Sequence, residues 1–145
     1  MLHLDFREFV ASLNASSVRY LVVGGYAVAL HGHPHYTQDI DVWLDATPEN
    51  AARVMDALDA FGFAPLGLTP ADFLVADQVI QLGLPPNRID LHTSLSGVDF
   101  ADCYPTRVQV DIDGVPVDFI DLENLKRNKR AAARSQDIAD LENRE

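Results

Sequence analysis

The first part of the chain alternates helical and strand-like runs of apolar residues. Residues 2–14 carry apolar side chains at helical spacing, which predicts an amphipathic helix. The apolar run over residues 18–23 predicts a buried strand, and Gly24-Gly25 predicts a tight turn directly after it. A short helix is expected to follow over residues 26–31.

Residues 39–45 alternate acidic and apolar side chains, the pattern of a strand whose two faces differ in polarity. The acids are expected to share one face, and Trp43 is expected in the core on the opposite face. The sequence then predicts a helix that ends at about residue 61. Thr47 suits its N-cap, and Pro48 suits its first helical position.

Four more strands are predicted in the second part of the chain, over residues 78–82, 88–93, 107–112 and 115–120. The last two are expected to form a hairpin around Asp113-Gly114. The tail from residue 121 is predicted as two helices that meet near Ser135. The sequence therefore predicts an α/β (α+β) fold, with a mixed β-sheet flanked by helices and C-terminal helices, as one domain over residues 1–145.

Composition and charge limit the classes of function. No apolar stretch approaches the roughly 20 residues that span a bilayer, and the N-terminus lacks the features of a signal peptide. Cys103 is the only cysteine and cannot form an internal disulfide, so we expect a cytoplasmic protein that does not bind membranes. A net charge of −11 argues against passive adhesion to nucleic acid, although five of the 11 bases fall within residues 126–134.

Asp39 and Asp41 are the first candidates for a site, because residues two apart on a strand project from the same face. Paired carboxylates repel each other unless a cation such as Mg²⁺ neutralises them, but a solvated strand edge has the same pattern. Asp90, on a second predicted strand, is a candidate third metal ligand or general base. The simpler alternatives for Asp90 are a salt bridge to Arg88 or a helix-cap role.

Two further features suit a nucleotide. Gly24 and Gly25 leave the backbone open to a phosphate where a strand ends and a helix begins. Lys129 and Arg130, in the basic segment, are candidate triphosphate contacts. Taken alone, a tight turn and a solvated helix face explain these two features equally well.

The order of these motifs resembles the polymerase-β-like nucleotidyltransferase superfamily, in which Gly-Gly or Gly-Ser precedes an Asp-x-Asp/Glu strand and a later carboxylate strand. The chain is also similar to the small bacterial and archaeal nucleotidyltransferases related to the AbiEii toxin type. This similarity is carried by YLVVGGYAVALHGHP (residues 20–34), YTQDIDVW (36–43), RIDLHTSLSGVDF (88–100) and NKRAAARSQDIADL (128–141).

The resemblance implies NTP as substrate and Mg²⁺ (or Mn²⁺) as metal. It implies that Gly24, Gly25 and Thr37 bind the nucleotide, and that three carboxylates hold the metal and act in catalysis: Asp39, Asp41 and Asp90. Two positions depart from the pattern, because His35 stands where Arg is common and Gln38 where Lys is common.

The expected activity is transfer of an NMP group from NTP to a hydroxyl of a protein, an RNA end or a small molecule. A role in a toxin–antitoxin pair follows from the resemblance, with a cognate antitoxin or a second copy of the chain as partner. The alternative is a catalytically inactive nucleotide-binding or protein-interaction module of the same fold. A transition-metal site at His31, His33 and His35 is a further alternative, less favoured than an incidental cluster.

Overall fold

Six strands form one mixed sheet in the order β3-β4-β2-β1-β6-β5. The computed structural model describes residues 4–32, 39–63, 67–83 and 88–142. Strands β1 and β6 are parallel, as are β2 and β4, and the other neighbours are antiparallel. The strands are β1 (Tyr20–Val23), β2 (Ile40–Leu44), β3 (Val79–Leu82), β4 (Ile89–His92), β5 (Val108–Ile112) and β6 (Val115–Phe119).

Helices flank this sheet. Within the described residues, the helices are α1 (Leu4–Ala15), α2 (Gly24–Leu30), α3 (Pro48–Phe61), α4 (Phe100–Cys103) and α5 (Leu122–Glu142). There are also 3₁₀ turns at Pro70–Phe73 and Tyr104–Thr106. The predicted start and end of α3 are confirmed. The Thr47 side chain accepts a hydrogen bond from the Asn50 amide, and Gly62 ends the helix at a φ of 99°.

The two faces of the sheet pack against different helices. The Tyr20 hydroxyl donates to Asn14 of α1 at 2.9 Å, so the face that carries Tyr20 is the α1 side. Tyr20 is paired with Leu44, and Trp43 therefore points to the other face. There its ring packs edge-to-face against Phe100 of α4, with ring centroids 5.2 Å apart.

The structure corrects two sequence predictions. Trp43 is in the core, at 2% exposure, but it lies on the same face as Asp41, because strand side chains two apart share a face. The tail is a single helix, α5, rather than two helices that meet near Ser135. Residues 122–142 contain neither proline nor glycine, so nothing in their backbone chemistry interrupts a helix.

Two other features of the fold bear on the sequence predictions. Within the described ranges, no helix is both long enough and apolar enough to cross a membrane. Cys103 is fully buried, and burial raises the pKa of its thiol to about 11, which makes it an inert packing residue.

Asn50 joins the start of α3 to the ends of the two central strands. Its buried side chain accepts from the Arg19 amide at 2.8 Å and donates to the carbonyls of Arg19 and Asp45 at 3.0 and 2.9 Å. All three partners are backbone groups at the end of the sheet far from Asp41. One side chain therefore satisfies three backbone groups where β1 begins and β2 ends.

Replacing Asn50 tests this junction. We expect Asn50→Ala to lower the free energy of unfolding by about 1–3 kcal/mol, because it leaves buried backbone groups without partners. Urea denaturation measures the change. Gln78→Ala, which removes an exposed amide side chain, is the control and should have little effect. Equal stability of the two variants would contradict the role of the Asn50 side chain in joining α3 to β1 and β2.

Candidate active site

The sheet brings three carboxylates onto one face. Asp41 of β2 is directly paired with Asp90 of β4 in a parallel ladder, so both side chains point the same way. Asp39 lies two residues before Asp41 and shares that face. The three carboxylates meet where β2 and β4 begin and β1 ends, in the middle of the sheet.

Arg88 bridges two of these carboxylates. Its Nε donates to Asp90 Oδ1 at 2.8 Å, and its Nη2 lies 3.2 Å from both Asp90 Oδ2 and Asp39 Oδ2. The hydrogen bonds that Arg88 donates to Asp90 raise the pKa of Arg88, and the charges of Asp90, Asp39 and Asp41 act in the same direction. The salt bridge from Asp90 to Arg88, the simpler sequence alternative, is therefore present, and it extends to Asp39.

Asp41 is held by different neighbours. Its Oδ1 accepts from His92 Nε2 at 2.8 Å. Its Oδ2 lies against Gly24, where a β-carbon would be only 2.3 Å away, and Gly24 has a φ of +64°. Glycine is therefore required here both for its left-handed backbone and for its missing side chain. The structure places Gly24 and Gly25 in the first turn of α2 rather than in a separate turn before a helix at residues 26–31, and this first turn (the Gly24 turn) lies directly beside Asp41.

A cleft of about 440 Å³ opens beside Asp41 and His92. Its walls come from β1, β4, the segment after β4 and α5, and include Val23, Gly24, Ser96 and Asn128. Asn128 of α5 donates to the Ser96 carbonyl at 3.1 Å, which ties the helix to the loop opposite. Among the described lining residues there are two carboxylates, Asp41 and Asp77, and no lysine or arginine.

Two of the other predicted nucleotide contacts, Lys129 and Arg130, do not line this cleft. Lys129 and Arg130 are exposed on α5, where Asn128 and Ala132 face the cleft instead. Thr37 lies outside the described residues, as do His33, His35 and Gln38. His31 is described, and its Nε2 donates to the Ile120 carbonyl at 2.9 Å, away from the carboxylates.

The sequence did not lead us to predict His92 as a site residue, and Arg88 was considered only as a salt-bridge partner of Asp90. A signal for His92 was present, because it lies two residues after Asp90 on a predicted strand and so shares its face. Nothing in the sequence indicated that His92, rather than Asp90, lines the cleft beside Asp41.

The carboxylates of this site are of the ligand type that a divalent metal ion requires. Three carboxylates on one face of adjacent strands supply the oxygen ligands that Mg²⁺ and Mn²⁺ prefer. In the described part of the chain no three acidic, histidine or cysteine side chains converge closely enough to hold an ion, and Arg88 pairs with both Asp39 and Asp90. The chemistry of the donors fits a divalent ion, with Asp41 as the carboxylate open to the cleft.

Comparison with known proteins identifies the class of fold. A crystal structure from Thermotoga maritima (TM1012), provisionally designated a nucleotidyltransferase, superposes with a TM-score of 0.67 at 16% sequence identity. The alignment covers 94% of this chain and 88% of that one, so the chain has a nucleotidyltransferase-like fold. Residues 4–145 match the family model described as "Nucleotidyltransferase of unknown function (DUF6036)", and the chain belongs to this family. No curated protein matches the sequence.

Replacing Gly24 tests the packing of the turn against Asp41. Gly114→Ala is the matched control, because Gly114 also has positive φ (88°) but has open space around it. We expect Gly114→Ala to cost about 1–2 kcal/mol from backbone strain alone. Gly24→Ala should cost about 1–3 kcal/mol more, since the new methyl group displaces Asp41. Urea denaturation measures the loss of unfolding free energy in both variants. Equal losses would show that the Asp41 side chain moves aside without cost.

Replacing Arg88 tests whether its charge holds the carboxylates together. We expect Arg88→Met to lower the Tm in EDTA, because Asp39 and Asp90 then repel each other without a cation. Added Mn²⁺ should raise the Tm of this variant more than that of the wild type. Arg53→Met, which removes a helical ion pair with Glu49, is the control and should respond to Mn²⁺ only as much as the wild type does. A metal-independent Tm in Arg88→Met would refute this role.

Proposed function

We propose that the protein transfers a nucleotidyl group from an NTP to a hydroxyl acceptor, with a divalent metal ion bound at Asp41. The position of Asp41 carries this proposal, since it is the carboxylate of the predicted triad that lines the cleft, beside the Gly24 turn. Membership of a nucleotidyltransferase family supports the type of reaction.

The charge of the cleft supports a requirement for metal. A triphosphate carries several negative charges, and the described lining offers Asp41 and Asp77 but no lysine or arginine. A bound divalent ion would neutralise phosphate charge and polarise the α-phosphorus toward attack. Without such an ion, the cleft would repel its substrate.

The chain's own residues then have separate tasks. Asp41 would hold the metal beside Gly24, whose bare backbone would let a phosphate approach. Arg88 keeps Asp39 and Asp90 aligned on the same face and offsets part of their charge. Ser96 and Asn128 line the far wall, where the nucleoside or the acceptor hydroxyl would lie.

Replacing Asp41 tests the reaction. We expect Asp41→Asn to lower NMP transfer by about 10²–10³-fold, because the neutral amide binds a divalent ion poorly while keeping the shape of the side chain. The assay incubates each α-labelled NTP with Mg²⁺ or Mn²⁺ and with the protein, RNA and small-molecule fractions of a lysate. Labelled product and released pyrophosphate are both measured.

The control for this assay is Asp118→Asn on β6. Asp118 is also a mostly buried carboxylate, and it accepts from Gln109 at 2.9 Å and lies 3.6 Å from Arg107, outside the cleft. Its replacement should affect stability without a specific loss of turnover. Full turnover in Asp41→Asn would refute the proposed function.

A non-catalytic module of the same fold is the second candidate, and the Arg88 bridge favours it. A guanidinium that pairs with Asp39 and Asp90 at 2.8–3.2 Å supplies the positive charge that a metal would otherwise supply. Such a protein would act through contact with a partner, such as a cognate antitoxin or a second copy of the chain. Calorimetry with Mg²⁺ and each NTP separates the candidates, because the module requires no NTP binding.

A further inference from the structure

His92 presents an imidazole on the wall of the cleft, directly beside Asp41. Its Nε2 lies 2.8 Å from Oδ1 of Asp41, and both side chains are partly exposed, at 20% and 27%. The carboxylate accepts, so Nε2 carries the proton in this contact. The pair therefore brings one nitrogen and one oxygen ligand atom together at a surface that solvent and substrate reach.

The spacing of these two atoms suits a shared metal ion. Adjacent ligands of an octahedral ion, each bonded at about 2.1 Å and at right angles, lie about 3.0 Å apart. The observed separation of Nε2 and Oδ1 is 2.8 Å. An ion that replaces the shared proton would require the two atoms to separate by a few tenths of an ångström and the two side chains to turn toward the ion, because the hydrogen bond now directs Nε2 at Oδ1.

The surrounding charges direct an ion to this pair. Arg88 pairs with both Asp39 and Asp90, so its single positive charge offsets part of their charge and repels a second cation there, whereas the partner of Asp41 is an imidazole. An incoming cation therefore gains more from Asp41 than from the other two carboxylates as they are arranged here. Water molecules and phosphate oxygens would complete its coordination, as is usual for ions held by few protein ligands.

We infer that His92 and Asp41 together ligate the divalent ion, and that the imidazole makes the site prefer Mn²⁺ over Mg²⁺. Mg²⁺ takes oxygen ligands, whereas imidazole suits first-row transition ions. The inference rests on the proposed function only in assuming that the cleft binds a divalent ion. It adds a nitrogen ligand to the predicted set of carboxylates.

Pulsed electron paramagnetic resonance of the full chain with Mn²⁺ alone tests this. We expect the bound Mn²⁺ in the wild type to show the ¹⁴N modulation of a coordinated imidazole. His92→Gln should lose this modulation and bind Mn²⁺ at least tenfold more weakly, by titration of free Mn²⁺. Mg²⁺ should compete poorly for the wild-type site and better for the His92→Gln site.

His31→Gln is the matched control, because its ring is engaged by the Ile120 carbonyl away from the cleft. This variant should keep both the ¹⁴N modulation and the affinity. If the wild type shows no ¹⁴N modulation, His92 only orients Asp41 and the inference is wrong. If the modulation persists in His92→Gln, another histidine is the ligand and the inference is also wrong.

These outcomes are separate from those of the transfer assay. A wild type that binds Mn²⁺ through His92 but turns over no NTP would refute the proposed function and leave this inference standing. Turnover with bound Mn²⁺ that lacks ¹⁴N modulation would refute this inference alone. The wild-type spectrum needs no substitution, so poor folding of His92→Gln would not leave the question open.

Discussion

The repulsion among three carboxylates on one face of the sheet is the constraint on which the site depends. Asp39, Asp41 and Asp90 are brought together by strand pairing, and the fold must offset their charges. Arg88 offsets two of them through side-chain contacts of 2.8–3.2 Å, and His92 contacts the third. The site is therefore divided into a closed half around Arg88 and an open half around Asp41.

This division has a consequence for the chemistry. Only the open half faces the cleft, and the described walls of that cleft carry no lysine or arginine. An anionic nucleotide can be accommodated there only if a cation accompanies it, because like charges at close range in a partly desolvated cleft repel strongly. The acidic cleft is thus better suited to a nucleotide that arrives with its metal than to a bare phosphate group.

The basic residues Lys129 and Arg130 of α5 do not line the cleft, although their charge suggests contact with a triphosphate. Residues 128 and 132 face the cleft, whereas Lys129 and Arg130 are exposed to solvent. A helix turns about 100° per residue, so neighbouring positions reach different surroundings. The bases therefore contribute to the outer surface of an acidic protein, and α5 contributes to the cleft through Asn128 and Ala132.

The sequence by itself determined most elements of the fold and the shared face of Asp39 and Asp41. Strand alternation, the Thr47-Pro48 start of α3 and the Asp113-Gly114 hairpin are local features, fixed by side-chain periodicity and turn chemistry. Tertiary structure alone decided the partners of Asp39 and Asp41. Arg88 meets Asp39, and His92 meets Asp41, between neighbouring strands, and whether a guanidinium or a metal ion neutralises a carboxylate depends on distances that spacing along one chain does not define.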